Sequence, residues 1–567
     1  MKTSEVTSAE KLRGGFYSPP PLVRACLDRI AALTVATPGR GDSAPLRVFE
    51  PSAGDGAFIR GLRDHSLADR VKDVTAVEIN AAEAAKSRTA LAATTFGGTV
   101  LTGSVLNGAC PSAGDYDVAV GNPPFVRFQF RTEEDRAGAL DVARRSGLNL
   151  TGVSNLWIPI LLTALTRLRA GGCFAFIVPA ECFTGISARS VRTWLIHNVD
   201  ALQADLFPPG SFPGVLQEVV VLSGRLDRPP GHRGAAPLTV VEHLPGNPLC
   251  WTHQVLETAP TWTRYLLTPA QLSALHELTE LPEFHRLAAV ARLSVSTVTG
   301  ANEYFSVDDG TLSEYSLGTW ALPLLPRIRY ATGLSFRQQD HGELAKLDCP
   351  RWLLNFGPRS PDPEQVPAAA SYLHYGEELK LHQRYKCRIR DPWYRVPVVQ
   401  PGSLLLSKRS HKYPRLVLNP ARVSTTDTIY QGRMTTAFDG READLVAGFH
   451  NTATLLTAEI EGRSFGGGVL ELVPTEIGRV CVPMLPGLGR SLAHLDELAR
   501  NAGPDSADLV RRTDALLAQA IPKLTPDLLG ELRGARAALQ QRRMDRTVAP
   551  PPAAAPFTGP ERGAAYG

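Results

Sequence analysis

YDVAVGNPPFVRF, running from Tyr116 to Phe128, is the stretch that decides how this chain reads. Its first half is an apolar run of strand length, and its second half stops abruptly at Asn122-Pro123-Pro124-Phe125. An unbroken apolar run with little polar alternation describes a strand buried on both faces, the condition of a parallel sheet covered by helices. Two consecutive prolines then withdraw backbone donors and stiffen the turn, so the strand ends there. The plain explanation of Asn-Pro-Pro-Phe is a Pro-rich turn carrying a core phenylalanine. The chemical one begins from the amide, a neutral group able to accept and donate at the mouth of a strand.

Outward from this point, residues from about 46 to 222 alternate short apolar runs with helix-spaced segments, as successive strand-helix units do. The strands predicted are LRVFEP, DVTAVEI, TVLTG, YDVAVG, CFAFIVP and EVVVLSG. GAFIRGLRD and NLWIPILLTALTRLRAGG carry helical spacing, the second with Gly171-Gly172 as its stop. The expected fold is α/β, a doubly wound Rossmann-like domain over 1–240, then an α+β domain over 241–487, a helical region over 488–546 and a disordered tail over 547–567, rich in Pro and Ala. The Pro/Gly-rich stretch DRPPGHRGAAPL, 227–238, marks a surface loop or the start of the junction.

Composition limits the function classes. With 567 residues, 43% hydrophobic and 20% charged, the chain is an ordinary multidomain globular protein, and a net charge of +4 is too small to imply a polyanionic partner by itself. The eight cysteines form no C-x-x-C pair and have no metal-like spacing against the 13 histidines, so reduced thiols and no metal site are expected. A polar N-terminus and the lack of any apolar run of about 18 residues point away from secretion and membrane spans and towards a cytoplasmic, nucleoid-associated protein.

The segment VFEPSAGDGAF, 48–58, places a strand directly before Gly54, Asp55 and Gly56, where glycines permit a sharp turn and close approach to a ligand. A tight strand-helix turn alone would need the same glycines. Glu78 lies 24 residues beyond Gly54, at the end of the second strand, where a carboxylate accepts from ribose hydroxyls. That spacing suits NAD as well, but G-x-G-x-x-G is missing and Glu50 would repel a pyrophosphate. An acid is better placed to hold the cationic amino-acid end of S-adenosylmethionine.

These motifs, in this order, resemble those of the gamma-class amino DNA methyltransferases, the TaqI-like adenine-N6 enzymes. Gly15-Phe16-Tyr17-Ser18-Pro19 looks like the motif preceding the fold, Glu50 to Phe58 the first core motif, Glu78 the second and Asn122 to Phe125 the catalytic fourth. Asn155-Leu156-Trp157 opens the next helix, GGCFAFIVP is similar to the fifth strand, and FPGVLQEVVVL, 212–222, to the eighth motif. The likeness covers roughly residues 14 to 224. It implies S-adenosylmethionine held by Tyr17, Ser18, Pro19, Glu50, Ser52, Gly54, Asp55, Gly56, Phe58, Glu78, Ser104, Val105 and Asn122. The third motif of the family usually carries an Asp for the cofactor's adenine amine, and here Ser104 stands in its place.

The chemistry implied is direct methyl transfer to an exocyclic amine, whose lone pair is delocalised into its ring. Asn122 and the Pro123 carbonyl would accept from the two N–H groups and stabilise charge developing on nitrogen. Pro123 and Pro124 would hold those acceptors stiffly. Phe125, with Phe212 as the family's second aromatic, would clamp a base flipped out of double-stranded DNA. Asn in this motif goes with adenine N6 in the family. Protein glutamine and RNA amine methylation, and an inactive DNA-binding specificity subunit, are the competing readings.

The remaining half adds a basic segment. From Lys380 to Arg415 there are ten Lys and Arg against one acid, Asp391, interleaved with Trp393, Tyr394 and Tyr413. Lys386, Arg388, Arg390, Trp393, Tyr394, Arg395, Lys408, Arg409 and Lys412 are the expected DNA contacts. A solvated basic face would have the same composition. STVTGANEYF, YKCRIRDPWY and GRSFGGGVLELVP also resemble target-recognition domains of restriction and phage-defence methyltransferases, which implies partner subunits of such a system. No nuclease motif was found, so a modification enzyme is expected.

Overall fold

The computed structural model describes residues 18–35, 44–107, 115–126, 132–148, 155–185, 188–208, 218–226, 235–244, 247–347, 349–465 and 467–545. It divides into two compact units, the first formed by the chain up to Pro269 together with the chain from Asp545, the second spanning Ala270–Met544.

The first unit is built on nine strands: β1 (Leu46–Glu50), β2 (Val71–Glu78), β3 (Gly97–Thr102), β4 (Tyr116–Gly121), β5 (Leu168–Pro179), β6 (Asp200–Leu206), β7 (Val219–Leu226), β8 (Pro237–Glu242) and β9 (Leu249–Gln254). Their order is β3-β2-β1-β4-β5-β7-β6-β8-β9. The run from β3 to β5 is parallel, and β7 lies antiparallel between β5 and β6. Chain order reverses between β1 and β4, which makes their carboxyl ends the switch point of the sheet, where ligands of open α/β folds bind. Every residue of β4 is buried, including Asp117, whose carboxylate accepts from Arg47 N–H at 2.7 Å and meets Arg169 at 2.6 Å.

The helices positioning the switch point are α1 (Pro20–Val35), α2 (Ala57–Arg63), α3 (Ala81–Ala92), α4 (Glu133–Arg145), α5 (Trp157–Leu165) and α6 (Ala188–Asn198). Leu22, Val23, Cys26, Leu27 and Ile30 of α1 pack with Val48, Phe58, Val118 and Ile177 in one apolar cluster. Such spacing puts one stripe of a helix against the sheet. At about 25 cal/mol per Å² of apolar surface, burying each of these large side chains contributes roughly 1.5–3 kcal/mol.

Two expectations about this region change. Gly171-Gly172 does not stop α5, which ends at Leu165; β5 already begins at Leu168. The pair sits where the β4–β5 register slips, Tyr116 facing Leu168 but Val118 facing Cys173, and Gly171 adopts φ +75°. The glycines serve an irregularity in the strand. The boundary also lies beyond 240, because β8 and β9 extend the same sheet. Trp251 Nε1 donates to the Tyr265 carbonyl at 3.0 Å, and His253 Nε2 lies 2.7 Å from the Leu267 carbonyl, tying 255–267 to it.

The second unit has an antiparallel sheet of 291–295, 429–434, 404–407 and 416–418, and a mixed sheet of 306–307, 352–354, 321–325 and 424–425 in which the last two strands run parallel. Its helices include α7 (Pro367–Glu378), α8 (Tyr385–Arg388), α9 (Thr452–Glu461), α10 (Leu492–Ala502), α11 (Ala507–Ala520) and α12 (Pro526–Met544). The region expected to stand apart from 488 onward belongs to this unit. The buried Asp496 of α10 accepts from Leu334 and Ser335 N–H at 2.7 and 3.0 Å, and Arg543 of α12 meets Glu459 of α9 at 2.6 Å. Both charges of that second pair are buried, so removing either leaves the other uncompensated. The tail 547–567 lies outside the described residues. Among the described residues no helix is long and apolar enough to cross a membrane.

Candidate active site

Two chain segments leave the sheet side by side at the switch point. Val48 and Phe49 of β1 face Val118 and Ala119 of β4, so the turn after Glu50 and the turn after Gly121 share one edge. A Cβ on Gly121 would fall 3.1 Å from the Phe176 ring and 3.4 Å from Pro51, which explains a residue without a side chain between two apolar neighbours.

The Gly loop is held by backbone and side-chain ties. Ala53 N–H donates to the Val77 carbonyl at 2.9 Å, and Gly54 N–H donates to Glu78 Oε2 at 2.9 Å. Glu78 Oε1 accepts from Asn80 N–H at 2.8 Å, so both oxygens already fix the β1 and β2 turns. Ser87 of α3 donates to the Gly54 carbonyl at 2.8 Å, a tie nothing in the sequence pattern marks. Gly54 and Gly56 lie at φ +56° and +85°, and a Cβ on Gly56 would meet Ala90 Cβ at 3.0 Å. Left-handed backbone against a packed helix requires glycine there. Asp55 pairs with Arg60 at 2.7 Å.

Glu50 is 1% exposed, and its Oε2 has no hydrogen-bond partner among the described residues. Burial, then the nearby Glu78 and Asp55, pushes its carboxyl well above the usual carboxylate range, against a smaller opposing pull from Arg60. Ser52 Oγ is likewise buried and unpartnered among the described residues. A buried acid lacking a partner normally costs stability, so such a group marks a place where a donor is to be received. A cationic ammonium matches it; a pyrophosphate does not.

Asn122 is half-buried and donates from Nδ2 to Ser18 Oγ at 3.2 Å, across 104 residues of sequence. This bond directs Nδ2 towards Ser18, and Oδ1, the amide's acceptor, therefore points away from Ser18. Pro19 accepts from Leu22 and Val23 N–H as α1 opens, so the pre-fold motif is anchored where it meets the amide. Pro123 is buried, Pro124 and Phe125 are half-buried, and Phe125 rests against the β-sheet core. The Val126 carbonyl accepts from Leu156 N–H at 3.0 Å, docking the far side of the turn on the start of α5.

Other expected residues are placed differently. Phe58 is buried in the apolar cluster, so it packs against α1 and the sheet and does not present a face to a ligand. Val105 is buried. The Ser104 hydroxyl donates to Asp135 Oδ1 of α4 at 2.8 Å, and Asn107 donates to the same oxygen at 3.1 Å. A carboxylate therefore stands beside Ser104, brought from a helix 31 residues away that the motif order did not single out. Tyr17 and Phe212 lie outside the described residues.

In the second unit the basic segment splits. Lys386, Arg388, Arg395 and Lys412 are exposed. Arg390 instead donates to the Thr299 and Val298 carbonyls at 2.6 and 2.7 Å. Lys408 and Arg409 flank the buried Glu471, at 3.8 and 3.2 Å. Trp393 packs on Tyr304 and Phe305, Tyr394 donates to Glu364 Oε1 at 3.1 Å, and Tyr413 is buried with its hydroxyl on the Ser506 carbonyl at 3.0 Å. These aromatics build the unit's interior; they were expected on its surface because sequence composition does not say which way a ring faces. Among the described residues no group of three or more His, Cys, Asp or Glu could hold a metal ion.

Fold and site define the class when set beside known proteins: a DNA methyltransferase of the restriction-modification kind. Residues 65–207 match the family model of the Eco57I restriction-modification methylase, and 259–518 match that of the C-terminal domain of type II methyltransferase M.Eco57I, so the chain carries both regions in order. Type II methyltransferase M.XamI of Xanthomonas campestris pv. amaranthicola is 24% identical over 491 residues, covering 84% of this chain and 86% of that one. Type II methyltransferase M.AccI of Acinetobacter calcoaceticus is 22% identical over 381 residues, 64% and 68% of the two chains. The motif resemblance is thereby borne out. A cryo-EM DrdV-DNA complex overlaps 86% of this chain and 57% of that chain at 12% identity and a TM-score of 0.49.

Proposed function

We propose that the chain transfers the methyl group of S-adenosylmethionine to the N6 amine of a specific adenine in double-stranded DNA, after that base is flipped from the duplex. The observation that carries this reading is the meeting of two groups at the switch point: Asn122, with its acceptor oxygen pointing away from Ser18, and Glu50, buried with an unpartnered oxygen. When bound there, the cofactor supplies an electrophilic methyl on a sulfonium. Glu50 and Ser52 would hold its amino-acid end, and Glu78 would meet its ribose with the lone pairs its backbone bonds leave. The electron-rich surroundings formed by Glu50, Asp55 and Glu78 favour a cationic ligand.

The part of this chain in the transfer is positional and electrostatic. Asn122 Oδ1 and the Pro123 carbonyl accept from the two amine hydrogens, which favours the form with its lone pair available and stabilises charge as the N–C bond forms and the C–S bond breaks. The proton released from nitrogen then leaves to solvent. Phe125 offers a face on which the extruded ring stacks, offsetting part of a flipping cost of a few kcal/mol.

The test supplies labelled S-adenosylmethionine with unmethylated duplex DNA, RNA and protein to wild type and Asn122→Ala, and maps modified bases by single-molecule sequencing. Label at adenine of one recurring DNA motif, lost in the variant, is the expected result. Label entering RNA or protein alone, or unchanged transfer by Asn122→Ala, overturns the reading.

A further inference from the structure

The short helix α8 displays apolar surface for which burial has no use. Tyr385, which opens α8, is 64% exposed and Ile389, which caps its end, is 61% exposed, and their spacing of four puts them on the same side of this single turn. Arg384, Lys386 and Arg388, all exposed, alternate with them along the chain. Arg384 lies 3.8 Å from Glu303, itself almost wholly exposed.

The mount beneath this display is rigid. Gly300 lies at φ +84°, and a Cβ on it would fall 2.8 Å from Lys386 Cβ and 3.2 Å from Cys387 Sγ, so the 298–300 turn fits directly under α8. The Cys387 side chain is buried, and Arg390 clamps the carbonyls of Val298 and Thr299. A loose surface loop would let a tyrosine and an isoleucine fold back on their neighbours. Here the backbone is tied from below and the two side chains are held outward, an ordering cost met before any partner arrives.

We infer that α8 is a wedge for duplex DNA, with Lys386 and Arg388 on phosphates and Tyr385 and Ile389 inserted against unstacked base pairs. Protein-protein interface cores are depleted of lysine, whereas a surface interleaving cations with exposed rings and aliphatic groups matches a polymer with charged edges and an apolar stack. This inference rests on the DNA reading above and adds a specific element to it.

The test uses the full chain. Affinity for a mixed-sequence DNA duplex is measured by fluorescence anisotropy across a salt series for wild type, Tyr385→Ala/Ile389→Ala and Lys386→Ala/Arg388→Ala, with cofactor affinity by calorimetry and mass by sedimentation. Removing the apolar pair should weaken DNA binding at least about tenfold with the salt slope unchanged, as loss of stacking does. Removing the cations should flatten the slope by about 1.8, two phosphates at roughly 0.9 each. Cofactor affinity should hold in both. Wild type that binds DNA while the apolar double variant binds within about twofold overturns the wedge alone, as does a change from dimer to monomer in that variant with DNA affinity intact. Wild type that binds the cofactor but no duplex overturns the DNA reading together with it.

Discussion

The switch point of the first unit and the basic segment of the second use sequence in opposite ways. At the switch point, residues far apart in the chain converge: Ser18, Glu50, Glu78 and Asn122 come from four segments and meet because strand order brings their ends together. In the basic segment, neighbours in the chain diverge: Arg388 and Arg395 face solvent while Arg390, Trp393 and Tyr394 are turned inward. The difference shows where a motif carries information. Convergent residues are constrained by the fold that brings them together, whereas a local run of cations and rings is shared between holding a unit together and presenting it.

The sharpest break of this contrast is at the amide. On the proposed function, Asn122→Ala removes the acceptor for the amine, and the loss in single-turnover transfer should reach about 10² to 10³-fold, the range of a lost preorganised donor or acceptor. Cofactor affinity by calorimetry should stay within a few fold, and a fall equal to the rate loss would make Asn122 a binding residue. In the second unit, Trp393→Ala should destabilise by about 3 kcal/mol in chemical denaturation, since its ring packs on Tyr304 and Phe305. Arg388→Ala should change stability by less than about 0.5 kcal/mol, as an exposed substitution does. Equal stability effects of the two would erase the division between inward and outward residues.

Much of the first unit was legible because two-face burial writes itself plainly: β1, β4, β5 and β7 are mainly apolar and each was read as a strand, and β2 was read as one from DVTAVEI although Lys72, Asp73 and Thr75 leave it only partly buried. β6 was not, because Asp200, Gln203 and Asp205 give it polar positions that only tertiary partners satisfy. His243 Nε2 lies 2.9 Å from Asp205 Oδ1 and Arg225 meets Asp200 at 2.9 Å, contacts no local pattern encodes. The Gly loop and Asn122 turn were legible for the same reason as the strands, a backbone demand that restricts residue choice. Ser87 and Asp135 were not, since a serine and an aspartate on helices satisfy many roles. The orientation of Arg390 and Trp393 depends on the 298–305 segment nearly a hundred residues earlier, a long-range choice invisible to composition.

Glu50 sharpens the convergent side through pH. Its folded carboxyl titrates well above the ordinary range, so around and below that shifted value the free protein carries the proton. A cationic ammonium favours the ionised carboxylate, so binding releases a proton. Cofactor affinity should therefore rise with pH by up to about tenfold per unit below the shifted value and level off above it. The sign for stability is opposite: a raised carboxyl stabilises the unliganded fold fully below the unfolded value, near 4.3, and that contribution is lost as pH rises through the folded one. Glu50→Gln should flatten both trends in calorimetry and thermal melts. Affinity that falls with rising pH in this window would deny Glu50 the ammonium.

The smallest effect tests how the convergence is held. Ser18 was expected to line the cofactor, and in the structure its hydroxyl accepts from Asn122 Nδ2 at 3.2 Å. The two roles separate kinetically. If Ser18 chiefly orients the amide, Ser18→Ala costs one neutral hydrogen bond, about 1 kcal/mol, and lowers transfer at saturating cofactor roughly fivefold while leaving cofactor KM unchanged. If it chiefly lines the cofactor, KM rises and the saturated rate holds. Ser18→Thr keeps the hydroxyl and should restore the rate in the first case, because what Asn122 needs from position 18 is an acceptor and not a particular size. A loss of melting temperature without either kinetic change would reduce the bond to a tie between α1 and the turn after β4, and the amide's orientation would then rest on Pro123 and Pro124 alone.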